Sequence, residues 1–220
     1  MFLSYDAIND MAQQIVNRYR KTLKHPRTDV DIVELLKQEC DLNFEFYSLS
    51  NDASILGLFS PFPTDIPVWC DGTPTTIRTD GKTALIDASL LPKKMRGRRN
   101  FTIAHEGSHV ILNHCSPEPW VAHRDAVVEY VVSDWEEWQA NTLASCLLMP
   151  EDSVRFFFKS FYNAEHIDTI SYLQNKLFHP LELMAEHFGV SKKALSIRLK
   201  KLELVDEVIF STNLSIIKEG

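Results

Sequence analysis

Apolar residues recur at Ile8, Met11, Ala12, Ile15, Val16 and Tyr19, the three-and-four spacing that lines one face of a helix. A second, shorter helix is expected just beyond it, opened by a capping box from Thr28 to Asp31. The period then changes. Residues 42–48 (LNFEFYS) alternate apolar and polar positions as a half-buried strand does, and residues 66–70 form a second candidate. Residues 75–79 and 83–87 follow as a third and a fourth, flanking Asp80-Gly81, a pair favoured in tight hairpin turns. Helical spacing returns in FTIAHEGSHVILNH (101–114), then in a helix opened by Ser133 that runs to Met149, ahead of Pro150. Beyond Asn163 the pattern predicts helices over 167–178, 180–188 and 191–202. Strands grouped ahead of helices indicate an α+β fold, with a mainly helical domain over 1–162 carrying a small antiparallel sheet, and a helical subdomain over 163–220 packed on it.

The chemistry concentrates in His105-Glu106-Gly107-Ser108-His109. Histidines at i and i+4 share a helix face at roughly 6 Å between Cβ atoms. Two imidazoles so placed can hold one tetrahedral zinc ion. Glu106 projects about 100° from His105, at the edge of the same face, where it reaches a water at the metal without ligating it. This composition would produce about 0.02 such pentapeptides by shuffling, so an ordinary core helix with two histidines is the weaker reading.

A catalytic zinc keeps three protein ligands and one open position. The extended motif that supplies all three from one segment would need Gly at 112 and His at 115, where this chain has Leu112 and Cys115. The third ligand must come from elsewhere, and the helix after Ser133 offers Glu136 and Glu137. With Ser133 as N-cap, Glu136 occupies the capping-box position and is turned back to the Ser133 amide. Glu137 lies in line with Ala140, Asn141, Ala144 and Leu148, the small and apolar face suited to packing on the zinc helix. Asn141 is placed to accept a hydrogen bond from the far nitrogen of a ligating histidine. Cys115 is a minor alternative ligand. Gly107 costs about 1 kcal/mol relative to Ala inside a helix, a break that either close approach of a substrate strand or tight helix packing would explain.

Composition bears on the setting more than on the reaction. Four cysteines in 220 residues form no C-x-x-C pair and no disulfide framework, so they read as reduced thiols in a cytosol. The N-terminal MFLSYDAINDM lacks a basic start and carries Asp6 and Asp10, and no apolar run suits a membrane span. A net charge of −7 argues against broad nucleic-acid affinity. Near the C-terminus, Ala185, Gly189 and Leu195 have helix-turn-helix spacing, and the second helix bears Lys192, Lys193 and Arg198, so local contact with DNA stays open. Glu182, Glu186 and Glu203 offset that charge, which favours packing on the first domain or docking of a protein.

Three stretches then resemble one family in the right order. They are Arg98-Arg99-Asn100-Phe101-Thr102-Ile103-Ala104 leading into the histidine motif, Glu137-x-x-Ala140-Asn141 with Leu147-Leu148-Met149-Pro150, and Phe188-Gly189-Val190-Ser191 with Ile197-Arg198-Leu199. The family is the ImmA/IrrE-type metallopeptidases, gluzincin-like proteins of bacteria and their mobile elements. The resemblance covers about half the chain, and the first ninety or so residues match no motif. One departure is Gly107-Ser108, where the family commonly has a larger apolar residue and then Gly; it bears on helix packing rather than on a ligand. The resemblance implies a cytoplasmic, site-specific endopeptidase whose protein substrate is a helix-turn-helix repressor or an antitoxin.

Together these readings give one Zn²⁺ per chain on His105, His109 and Glu137, with Glu106 as general base and then proton donor to the leaving amine. His123, Tyr130 and His114 are unranked candidates for a second oxyanion donor. The strand at 83–87 either aligns substrate as an edge strand or only covers the helices. The rival readings are a regulatory or DNA-binding module working through the C-terminal helices, and a structural zinc protein; the latter would be expected to close its metal with four cysteine-rich ligands.

Overall fold

A computed structural model describes residues 2–25, 27–114, 120–121, 134–171 and 175–209. Helix α1 (Tyr5–Thr22) is capped by the Ser4 hydroxyl, which accepts from the Ala7 amide, and it buries Ile8, Ala12, Ile15, Val16 and Tyr19. Helix α2 (Ile32–Cys40) begins later than the expected capping box. Asp31 is its N-cap, accepting from the Glu34 amide at 3.2 Å, because the Thr28 hydroxyl is taken by His187 Nε2 at 3.0 Å.

Six strands are found among the described residues up to Val121: β1 (Asn43–Tyr47), β2 (Gly57–Phe59), β3 (Asp65–Cys70), β4 (Thr73–Arg78), β5 (Thr83–Asp87) and β6 (Trp120–Val121). The largest sheet has the order β1-β5-β2-β6, with β1 parallel to β5 and the other pairs antiparallel, so it is mixed rather than antiparallel throughout. The hairpin expected at Asp80-Gly81 lies instead between β3 and β4. Asp71 and Gly72 there have φ of 50° and 75°, the left-handed pair that a two-residue hairpin turn requires. Asp80 instead fixes a bend, its carboxylate accepting from the Lys82 amide at 2.8 Å and the Thr83 hydroxyl at 3.2 Å. That bend sends β5 along β1, a distant partner. With β1 and β2 on its two sides and all five residues buried, β5 is no edge strand and cannot take an added substrate strand.

The remaining elements are α3 (Arg96–Ile111), α4 (Asp134–Leu148), α5 (Glu151–Tyr162), β7 (Ile167–Ser171), α6 (Asn175–Phe188), α7 (Lys192–Lys201) and β8 (Val205–Ile209). The helix expected over 167–178 is corrected at its start. IDTIS is a strand because it pairs in parallel with the β-branched VDEVI of β8, a partner far along the chain. Helix α6 then carries Pro180 inside it rather than at its first turn.

One apolar cluster draws Ile15, Leu36, Ile103, Leu147, Phe158, Met184 and Leu199 together, so residues beyond 163 share the core of those before it. Truncating one such leucine to alanine costs about 2–5 kcal/mol. Gly107 has its explanation here, since a Cβ on it would collide with the Leu36 side chain of α2. Tight helix packing, not approach of a substrate strand, is what the glycine permits. Among the described residues no helix is long and apolar enough to cross a membrane.

Candidate metal centre

Helix α3 starts against its own dipole, with Arg96, Arg98 and Arg99 in its first turn and no side-chain cap. Tertiary bonds compensate. Arg99 Nη1 donates to the Leu91 carbonyl at 2.8 Å, Arg96 Nη1 to the Glu186 carbonyl at 3.3 Å, and Asn100 Nδ2 to the Gly189 carbonyl at 3.0 Å. The last two join α3 to the α6–α7 turn, where Gly189 has φ of 61°. Contact there is tight, since a Cβ on Gly97 would lie 2.9 Å from the Ser191 amide nitrogen.

From that anchorage α3 carries His105, Glu106 and His109 into the interior, all three buried, where α4 crosses. Glu137 Oε2 lies 3.4 Å from His105 Nε2 and Glu137 Oε1 lies 3.3 Å from His109 Nε2, while the two Nε2 atoms are 3.1 Å apart. One ligand atom from each residue falls within 4.8 Å of the other two. Glu136 is not part of this group, and Ser133, its expected capping partner, lies outside the described residues. Asn141, one turn beyond Glu137, has Oδ1 at 3.1 Å from His105 Nδ1. An amide oxygen only accepts, so the proton sits on Nδ1 and the lone pair of Nε2 turns toward His109 and Glu137.

His114 takes a place the sequence did not suggest. Asn113 adopts φ of 51°, which returns the His114 amide to the His109 carbonyl at 3.0 Å and folds the ring back on its neighbour. His114 Nδ1 then lies 3.2 Å from His109 Nδ1, and its Nε2 lies 3.4 Å from Gln139 Nε2. Gln139, fully buried, accepts from the Leu3 amide at 2.8 Å. Both ring nitrogens of His114 are thus engaged behind His109, and its candidacy as an oxyanion donor is withdrawn. The readable signal was Asn113, a residue tolerant of left-handed backbone two positions past the helix end. Gln139 gave none. His123, Tyr130 and Cys115 lie outside the described residues.

Charge in the cluster is set by burial. It pushes His105 down to about 4, reinforced by the His109 charge, and does the same to His114. Burial also acts to raise Glu137, but hydrogen bonding from His109 and the charges of His105, His109 and His114 hold it below its ordinary value. Burial, and then the Glu137 charge, push Glu106 up to about 8. Glu106 Oε1 is buried with no hydrogen-bond partner among the described residues, and a Cβ on Gly57 of β2 would stand 2.5 Å from it. Two imidazole nitrogens and the Glu137 carboxylate form a donor set that fits a divalent metal ion, with Glu106 next to His105 on α3 but outside that set. Cys40, Cys70 and Cys146 are free thiols outside this group.

The nucleic-acid candidates fare differently. Arg198 is 2% exposed and spends its guanidinium on the Met149 carbonyl, the Tyr5 hydroxyl and Asn9 Oδ1, so it has no face to offer a phosphate. Lys192 pairs with Glu182 at 2.7 Å. Only Lys193 of the three is exposed and without a carboxylate partner among the described residues.

In this α+β fold two helices bring together His105, His109 and Glu137, a group that could hold a metal ion. The chain belongs to the IrrE N-terminal-like domain family, Peptidase M78, whose model matches residues 90–200. No curated protein matches the sequence. Among solved structures it is similar to a Mycobacterium tuberculosis transcriptional regulator at 15% identity and a TM-score of 0.48, over 88% of this chain and 46% of that one. The present chain therefore spans just under half the length of that structure.

Proposed function

We propose that the chain is a zinc-dependent endopeptidase that cuts a regulatory protein of the cytosol, of the repressor or antitoxin kind, at one site. The observation that carries this reading is the group of His105, His109 and Glu137 with the unpartnered Glu106 oxygen beside it. Those three side chains would hold one Zn²⁺. Bound there, zinc supplies Lewis acidity, which polarises a peptide carbonyl and lowers the pKa of water from about 15.7 toward 7. Asn141 keeps the His105 proton on Nδ1, and the His114 ring packs edge-on behind that of His109.

Glu106 performs the proton transfers through Oε1. It takes a proton from the attacking water as the water oxygen bonds to the carbonyl carbon, and delivers it to the amide nitrogen as the C–N bond breaks. Close packing of β2 over Glu106 keeps bulk water from that carboxylate. His123 and Tyr130 remain the candidates for the oxyanion donor. A repressor or antitoxin as substrate is what the resemblance to ImmA/IrrE-type metallopeptidases suggests.

Metal analysis of purified variants tests the reading. The expected result is about one zinc per chain in the wild type and in Glu136→Ala, and loss of it in Glu137→Ala. Glu106→Gln should keep zinc yet fail to cleave a repressor encoded beside this chain. Equal retention by both alanine variants, or cleavage by Glu106→Gln, would overturn the assignment. Operator binding that Glu106→Gln leaves intact, without cleavage by the wild type, would favour a DNA-binding regulator instead.

A further inference from the structure

Helix α7 has the sequence look of a DNA reader, yet its exposed stripe does not stand free. Lys193, Ile197 and Lys201 recur every four residues along it and form one wall of a cavity of about 820 Å³. Arg98 and Phe101 of α3, with Trp138 and Asn141 of α4, make the facing wall. Asn141 links this space to the His-His-Glu group. Phe101 is one helical turn ahead of His105, Trp138 adjoins Glu137, and Asn141 bonds His105.

The walls are fixed with respect to each other. Gly97 and Asn100 pin α3 to the α6–α7 turn, and the buried Arg198 guanidinium ties α7 to α1 and to the end of α4. A cavity held open by such contacts is preformed, so an occupant would meet little ordering cost. Its apolar content reaches the surface: Ile197 is 52% exposed and Trp138 39%, with the Phe2 ring stacked on Trp138 at 6.2 Å. Large apolar side chains left in a concave, rimmed patch mark an interaction site.

Charge selects the occupant. The chain carries −7 overall, yet the ionisable groups at the cavity rim are Arg98, Lys193 and Lys201, none with a carboxylate partner among the described residues. Arg198, the other cation of the lining, is fully engaged inside the protein. A phosphate backbone would match the rim but leave Ile197, Phe101 and Trp138 uncovered. An amphipathic helix with a leucine-like face and acidic flanks would cover both.

We infer that this cavity is a docking site for an amphipathic, acidic segment of the protein substrate, with α7 as its recognition wall. The purpose assigned to docking, delivery of the substrate to the metal centre, rests on the peptidase reading; the docking itself does not. The probe is a short fluorescein-labelled peptide with leucines at every third and fourth position and glutamates beside them, titrated with metal-stripped and zinc-loaded protein. Fluorescence anisotropy should saturate in both cases.

Ile197→Glu should weaken binding about tenfold or more, as should the pair Arg98→Glu and Lys193→Glu, and a peptide with lysines for glutamates should bind comparably weakly. Lys200→Glu, on α7 but outside the cavity, should bind as the wild type does, and unchanged thermal melts would show that the variants fold. Equal binding of the lysine peptide, indifference to Ile197→Glu, or displacement of the peptide by a duplex oligonucleotide would each overturn the inference. Glu137→Ala and Glu106→Gln should leave peptide affinity unchanged, so a failed zinc site and a failed docking site give different results.

Discussion

Among the described residues two groups bring three potential metal ligands within 4.8 Å of one another: His105 with His109 and Glu137, and His166 with Asp168 and Asp206. The first is mostly buried where helices cross. The second lies on the surface at β7 and β8, its side chains 42%, 91% and 71% exposed. In the second, the two ring nitrogens of His166 face different carboxylates, at 3.5 Å and 3.1 Å, and among the described residues no further side chain orients them. In the first, Asn141, His114 and Gln139 stand behind the imidazoles. Proximity of ligands is thus common to both groups, while a supporting layer and exclusion of water belong to one.

Removing ligands should separate the two groups most sharply. His109→Ala or Glu137→Ala is expected to weaken zinc binding by more than about 100-fold in chelator competition, whereas His166→Ala leaves stoichiometry and affinity unchanged. Equal losses would mean that burial confers no advantage here. Stripping the supporting layer comes next: Asn141→Ala and His114→Ala should each lower zinc affinity about 10–100-fold without abolishing it. An unaltered affinity in both would reduce those hydrogen bonds to packing.

Crowding gives a third contrast, read by thermal melting. Gly57→Ala places a methyl against Glu106 and Thr102 and should destabilise the fold by about 1–3 kcal/mol, with cleavage impaired even where zinc is retained. Gly107→Ala should cost a similar amount through Leu36, and Leu36→Ala should relieve it. The smallest effect belongs to the exposed group, where Asp168→Asn is expected to change stability by no more than about 0.5 kcal/mol.

Sequence spacing disclosed what is local. The periodic face of α1 emerged as the buried face, β5 has the limits expected of the strand after Asp80-Gly81, and the histidine pair recurs on α3 as its i, i+4 pattern requires. What it missed depends on partners far away. IDTIS looked helical because nothing nearby announces β8, and Asp80-Gly81 outcompeted Asp71-Gly72 as a turn because either pair suits one. Strand β2 has three residues, too few to show a period, although a Cβ on its Gly57 would collide with Glu106. Arg198 looked like a surface cation because a helix bearing five basic residues suggests a solvated face; its burial follows from Tyr5 and Asn9 at the other end of the chain.

That guanidinium has a consequence for any shortened form of the protein. A premature stop or a proteolytic nick after α5 would spare His105, His109, Glu137 and Glu106. It would also bare the phenol of Tyr5, the amide of Asn9 and the apolar surface that Leu195 and Leu199 shield. Such a fragment would be sticky and short-lived, so breaking this chain in two would not leave a smaller stable protein behind.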